Sequence, residues 1–215
     1  MINDLLEIDV KNEEILKLIL DKFRNFNAFF KNIKEHFITE ELLYDNISVN
    51  NNDFGDYFDS ISKIIEDYFY NPYDIEINKD LLLNFNELIN KEDGFRDKNI
   101  IHRHFLHEIS DYKSINIEVD NLFSRFENTE FTTLENYAFI TYQLFQVYPF
   151  LNSLSIRILG NIYLLKNDYL PFILSNNFKS EYYYMFQYDF PRFKDAFFKL
   201  MLRSFDLVAK RLGSI

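Results

Sequence analysis

Asn152, Ser153 and Ser155 are residue types that cap the starts of helices, and a long, mainly apolar stretch, 156–166, follows them. The start of a helix presents free backbone N–H groups and a partial positive charge, so such a start can hold a phosphate group. We therefore take these three residues as candidates for binding a phosphate-containing or similar ligand.

A second group with potential chemistry is the histidine tract HRHFLH, which contains His102, His104 and His107. His104 and His107 would share a helix face, whereas His102 and His104 would share a strand face. A single tract without carboxylates at metal-ligand spacing is a weak pattern for a metal site. We interpret the tract as a solvated or partner-docking loop, and we expect no bound metal.

The helix that would carry the first site is expected to begin near Ser153 or Ser155 and to end near Lys166. Its apolar side chains recur at helical spacing and also cover the remaining sides, and a helix of this kind is normally buried. We therefore expect it to be the central helix of an all-α fold. The apolar residues are Ile158, Leu159, Ile162, Tyr163, Leu164 and Leu165.

The rest of the chain is also predicted to be helical, because it has only four glycines and four prolines and long segments with helical periodicity. Between 91 and 113 the pattern breaks, and we expect irregular structure that could include a short β-hairpin. The other predicted helices cover residues 12–36, 54–71, 79–90, 118–127, 132–147, 179–187 and 189–212.

Local signals place several of these helix starts. Asn12 is a suitable N-cap for the first helix, and Thr132 with Glu135 forms a capping box. Asp189 followed by Pro191 is typical of the first turn of the last helix. The first helix is expected to bury one apolar face, formed by Leu16, Leu20, Phe23, Phe30, Ile33 and Phe37.

Composition and charge restrict the class of protein. Acidic residues outnumber basic ones 34 to 23, which gives a net charge of −11 and disfavours nucleic acid and anionic membranes as partners. Without cysteine there are no disulfides. The start of the chain lacks the basic region of a signal peptide and no apolar run is long enough to span a membrane, so we expect a cytoplasmic protein. A non-classical secretion signal would not be visible in this way.

We expect one compact unit, in which N-terminal helices in 1–80 pack on a core formed by 81–215. The order of motifs in this core resembles the Fic (Fido) family, whose signature is HPFx(D/E)GNGRxxR. The segment YPFLNSLSIR occupies 148–157, and Asn161, the pair 164–165 and the turn 169–171 (YLP) follow as in that family. Upstream, GFR at 94–96 resembles the sequence that precedes the family's target-docking flap. We expect a bacterial source.

The resemblance implies a helical bundle around a central buried helix, with a hairpin flap, and transfer of AMP to a target hydroxyl. The signature is altered where it would do this chemistry. Tyr148 replaces the His that acts as general base, and Asn152 is the nearest residue to the acid that binds Mg²⁺. Residues 153–155 replace the Gly-Asn-Gly phosphate nest. Two loop residues and the first Arg are missing, so Arg157 remains as either a phosphate-facing cation or a buried structural residue.

The resemblance also implies that the flap docks a partner. The candidates for this contact are Arg96, Ile100, Ile101, His102 and His104. The histidines could alternatively supply a relocated base.

These departures favour a catalytically degenerate Fic-like protein that binds a protein partner or a ligand in the relic cleft and needs no cofactor. The alternative is an active nucleotidyl or phosphate-group transferase with a rewired site, which would use ATP and Mg²⁺ and in which Tyr148 and Arg157 would handle the donor. A third hypothesis is an acidic interaction protein that does not use the cleft.

Overall fold

The structure, a computed structural model, describes residues 2–44, 51–90, 94–95, 111–126, 130–147 and 153–214. Within these ranges the regular structure is helical and contains no β-strand. A π-helical turn (Ile65–Phe69) directly follows the helix that ends at Ile64, and a 3₁₀ turn (Asn176–Phe178) directly precedes the helix that begins at Lys179. The helices are α1 (Ile2–Phe23), α2 (Phe26–Tyr44), α3 (Asn51–Ile64), α4 (Lys79–Asn90), α5 (Ile115–Phe126), α6 (Thr133–Val147), α7 (Ser153–Lys166), α8 (Lys179–Met185) and α9 (Phe190–Ser214).

The prediction of a single first helix over 12–36 is wrong, because the chain forms two helices that meet at Arg24 and Asn25. Arg24 has a φ of 68°, and this left-handed conformation ends α1. The side chain of Asn25 then caps α2, since its Oδ1 accepts a hydrogen bond of 2.7 Å from the backbone N–H of Ala28.

Asn12 is not an N-cap, because it lies in the middle of α1 and its side chain is buried. Its Nδ2 donates to the carbonyl oxygen of Asp168 at 3.0 Å, and its Oδ1 accepts from the N–H of Leu170 at 2.8 Å. Leu20 was expected to be buried but is 53% exposed. The buried face of α1 is instead formed by Ile8, Asn12, Ile15 and Ile19.

Several other local predictions are confirmed. The helix over 79–90 is α4, with the predicted bounds. The capping box forms, since the Glu135 N–H donates to Thr132 Oγ1 at 3.3 Å and the Thr132 N–H donates to Glu135 Oε2 at 3.2 Å. Asp189 caps α9 through a 3.1 Å bond from the Arg192 N–H. Most of 91–113, including the expected hairpin, lies outside the described residues.

The prediction of a buried central helix is also confirmed. In α7 every side chain from Leu154 to Leu165 is buried except that of Tyr163, which is partly buried. Helices α4 and α6 and the π turn pack around it, and α1 packs on α9. Buried residues of α1 to α9 belong to one apolar cluster. Its aromatic part, where α6, α8 and α9 meet, contains Phe145, Tyr182, Phe186, Phe193 and Phe197.

Candidate functional site

The candidate site residues divide into those that the structure describes and those that it does not. Ser153 is the first residue of α7, and Ser155 and Arg157 follow in its first turns. The candidates outside the described residues are Arg96, Ile100, Ile101, His102, His104, Tyr148 and Asn152.

The first turns of α7 are packed into the protein. Leu154 and Ser155 have no exposed surface, and Ile156 and Arg157 are each 1% exposed. Within the described part of the chain, the Ser155 hydroxyl has no hydrogen-bond partner. A ligand in solution therefore has no direct access to the side chains of Ser155 and Arg157 in this conformation.

Arg157 lies on the face of α7 that also carries Leu154, Ile158 and Asn161. This face borders a cavity of about 20 Å³, whose other walls come mainly from apolar residues of α2, α3 and the π turn, such as Ile61. A cavity needs about 10–15 Å³ to hold one water molecule, so this one has room for about one water and none for a phosphate group. The position of Arg157 therefore fits a buried structural residue.

Asn161 holds the segment that follows α7. Its Oδ1 accepts a hydrogen bond from the N–H of Phe172 at 2.7 Å, and its Nδ2 donates to the carbonyl oxygen of Phe172 at 3.0 Å. Gly160, one residue earlier, allows α6 to approach α7 closely, because a Cβ there would lie 2.3 Å from Cε2 of Tyr137. Both residues therefore help to position the backbone around α7.

The end of α6, which leads towards Tyr148, is anchored on the turn before α9. The Tyr142 hydroxyl donates to the Tyr188 carbonyl oxygen at 2.9 Å, and Gln146 Nε2 donates to the Phe186 carbonyl oxygen at 3.3 Å. Burial raises the pKa of Tyr142, with a smaller contribution from Asp189. The candidate site is thus bordered by two fixed elements, the end of α6 and the start of α7.

A larger cavity, of about 310 Å³, lies at the other end of α7 and was not predicted from the sequence. Asp168 and Tyr169 line it from the turn after α7, and Tyr70 and Tyr73 line it from the segment after the π turn. The tyrosines in YFYNPYD, residues 68–74, were a visible signal. Nothing in the sequence indicated that they meet a turn nearly one hundred positions later.

Two features are absent from the described residues, a membrane-spanning helix and a cluster of metal ligands. No helix among them combines the length and the apolar character needed to cross a bilayer. Their His, Asp and Glu side chains also form no group of three or more that could hold a metal ion.

No family model matches the sequence, and no curated protein matches it. Among solved structures, the chain is similar to the crystal structure of a Fic domain containing signaling protein from Bacteroides thetaiotaomicron VPI-5482. The two share 13% sequence identity, the match covers 98% of each chain, and the TM-score is 0.73. At this identity the likeness concerns the fold, and it extends over the N-terminal helices as well as the core. The chain therefore has the all-α Fic fold.

Proposed function

We propose that this chain is a catalytically degenerate Fic-fold protein, which does not transfer AMP and acts by binding a protein or ligand in the cleft next to the start of α7. The burial of Ser155 and Arg157 carries this proposal. A phosphate-transfer site needs cations and hydroxyls that reach the phosphates, whereas these two side chains are enclosed by the core.

The residue types around the helix start support the same conclusion. A general base must accept a proton near neutral pH, and the phenol of Tyr148 has an unperturbed pKa of about 10, so only about one in a thousand is ionised there. Asn152 is neutral and is a weak ligand for Mg²⁺, which is usually bound through carboxylates and phosphates. The residues at these two positions therefore supply neither an effective general base nor a strong ligand for Mg²⁺.

A protein partner fits this role better than nucleic acid or an anionic membrane, because the net charge of −11 opposes contact with phosphate-rich surfaces. Arg96, Ile100, Ile101, His102 and His104 are proposed to contact this partner. No cofactor is required, and we propose that the protein acts in the cytoplasm.

Two measurements test the loss of catalysis. ATP with Mg²⁺ is titrated into the protein by calorimetry, and lysate is incubated with the protein and with ATP labelled at the α-phosphate. We expect no binding and no labelling, and Tyr148→His is expected to remain inactive because the metal ligand and the phosphate nest are still missing. A Fic protein with a complete signature is the positive control.

The opposite results would support the rewired transferase. Nucleotide binding that Arg157→Ala abolishes in a folded protein, or strong labelling that disappears in Tyr148→Phe, would overturn the proposal.

The binding role has its own test. A photocrosslinking amino acid is introduced at His104 and, as a matched control, at Glu87, which is exposed on α4. In lysate, a discrete crosslinked product is expected from position 104 and not from position 87. Equal products from both positions would argue against a partner surface at the flap.

A further inference from the structure

The 310 Å³ cavity is separate from the candidate Fic cleft. It lies beside the C-terminal end of α7, between the start of α2, the segment after the π turn and the turn 167–171. Since α7 has 14 residues and each adds about 1.5 Å, the cavity and Ser153 are about 20 Å apart. Its volume is at the lower end of the range for small-molecule sites, about 300–1,000 Å³.

Nearly half of the residues that line this cavity are aromatic. Five rings line it together with aliphatic side chains such as Leu16 and Leu165. The faces of aromatic rings carry negative electrostatic potential and attract organic cations, above all where water is partly excluded. The five ring-bearing residues are Phe26, Phe69, Tyr70, Tyr73 and Tyr169.

Asp168 adds a carboxylate to this aromatic wall. The hydroxyl of Tyr73 donates a hydrogen bond of 2.9 Å to Asp168 Oδ1, and this bond raises the pKa of Tyr73. Among the described residues, no Lys or Arg forms an ion pair with Asp168 or lines the cavity. Lys34 is a cation whose charge acts on Tyr70, and it is already paired with Glu66.

The local backbone structure at position 168 gives no reason for an acidic residue there. Asp168 has a φ of 62° and occupies the residue after the C-cap of α7, where Gly or Asn is usual. The Asp168 N–H donates to Leu165 O at 3.2 Å, and the Tyr169 N–H donates to Leu164 O at 2.9 Å, as in a Schellman motif. The C-terminus of a helix also disfavours negative charge. Gly or Asn would suit this turn better than Asp.

The turn is held in place by α1. Asn12 bonds the Asp168 carbonyl oxygen and the Leu170 N–H, and the Tyr169 hydroxyl donates to Asp9 Oδ1 at 2.7 Å. The backbone of Asp168 and the side chain of Tyr169 are therefore held in place before any ligand arrives, which lowers the entropy cost of binding.

We propose that this cavity binds a small organic cation, a quaternary ammonium or substituted amine, with its charged head against the aromatic rings and next to Asp168. Aromatic rings and one carboxylate without a paired cation form the usual chemistry for such a ligand. Cation binding in this cavity is independent of any ligand in the Fic cleft.

Calorimetric titration of the full chain with choline and with benzyltrimethylammonium tests the proposal. The matched probe is 3,3-dimethylbutan-1-ol, which has the shape of choline without its charge. We expect saturable binding of both cations and at least about tenfold weaker binding of the neutral alcohol. Absence of saturable cation binding, or equal binding of the alcohol and choline, overturns the proposal.

Asp168→Asn is the decisive variant, because Asn tolerates a positive φ and can still accept the bond from Tyr73, while the charge is lost. It is expected to fold and to bind choline about tenfold more weakly. Glu87→Gln also removes one negative charge, but from an exposed position on α4, and this variant is expected to bind choline as the wild type does. An unchanged affinity in Asp168→Asn overturns the role of the carboxylate and with it the proposal.

Discussion

Asn161 and Phe172 are joined by two buried hydrogen bonds, in which one side-chain amide satisfies both the N–H and the carbonyl oxygen of Phe172. The pair fastens the extended segment after α7 to the middle of that helix. Asn161 is one of the residues on which the sequence resembles the Fic family, and its described contact in this chain is structural.

Replacement of Asn161 by Leu should therefore destabilise the fold. Two buried backbone groups of Phe172 would lose their partners, and each such loss costs about 1–3 kcal/mol. We expect the free energy of unfolding, measured by urea denaturation, to fall by about 2–4 kcal/mol. Asn167→Ala is the control, since its side chain bonds the Tyr163 carbonyl oxygen in an exposed position and should change stability by less than about 0.5 kcal/mol. Equal effects of the two changes would contradict this role.

Gly160 is required where α6 and α7 come closest. A Cβ at this position would lie 2.3 Å from Tyr137 Cε2, and the Tyr137 ring is completely buried and cannot move into open space. Gly160→Ala is expected to lower the free energy of unfolding by about 1–3 kcal/mol or more, as overpacking does. The measurement is again urea denaturation.

Gly55→Ala provides the matched control for this change. Gly55 lies within α3, and a Cβ there would meet no atom within 4 Å. Alanine is the better helix former, so this variant should be more stable than the wild type by about 0.5–1 kcal/mol. A stabilising effect of Gly160→Ala would show that the close approach of α6 and α7 is not maintained in solution.

The elements that the sequence predicted best are those whose signals are local. The capping box at Thr132 and the apolar pattern of α4 each lie within a few residues of the element that they define. The break at Arg24 was missed although Asn25 is a good cap, because the apolar spacing continues across it. Asn12 was misplaced because its partners, Asp168 and Leu170, are more than 150 positions away.

In the candidate site, too, the features with local sequence signals were predicted and those that depend on distant residues were not. The apolar residues of α7 indicated a buried helix, but a helix that is apolar nearly all round does not reveal which neighbour each side covers. The sequence therefore left two roles open for Arg157, and only the packing of α2 and α3 places it beside a water-sized cavity. The larger cavity at Asp168 is lined by residues from α1, the start of α2, the segment 69–73 and the end of α7 with its following turn, and no local pattern predicts that these four regions meet.

Glu135 makes the stability of the protein depend on pH. Its hydrogen bond with Lys194, 2.8 Å long, is the main reason that its pKa lies below the usual value of 4.5, and the bonds from Thr132 add to this. A lowered folded-state pKa stabilises the fold above the pKa of the unfolded chain, and this contribution is lost as the pH falls through the folded-state pKa.

Wild type and Glu135→Gln are therefore compared by urea denaturation between pH 7 and pH 3. At pH 7 we expect the wild type to be more stable by about 1 kcal/mol, because a charged hydrogen bond and a cap contact are lost in the variant. The difference should shrink below pH 4.5. Glu87→Gln, on an exposed face of α4, should show no such difference. A gap that stays constant down to pH 3 would exclude the Glu135 charge as its source.

Substitutions at Arg157 distinguish a structural role of this residue from a ligand-binding role. Its side chain is 1% exposed and borders apolar residues such as Ile61 and Ile158, so truncation to Ala should enlarge the 20 Å³ cavity and remove packing. We expect Arg157→Ala to lower the free energy of unfolding by about 2–4 kcal/mol, and Arg157→Met, which keeps most of the volume, to lower it by less. Urea denaturation measures both. A phosphate-binding Arg in an open cleft would behave differently, because both variants would keep nearly the wild-type stability and lose nucleotide binding equally. That result would remove the buried role of Arg157 and favour the rewired transferase.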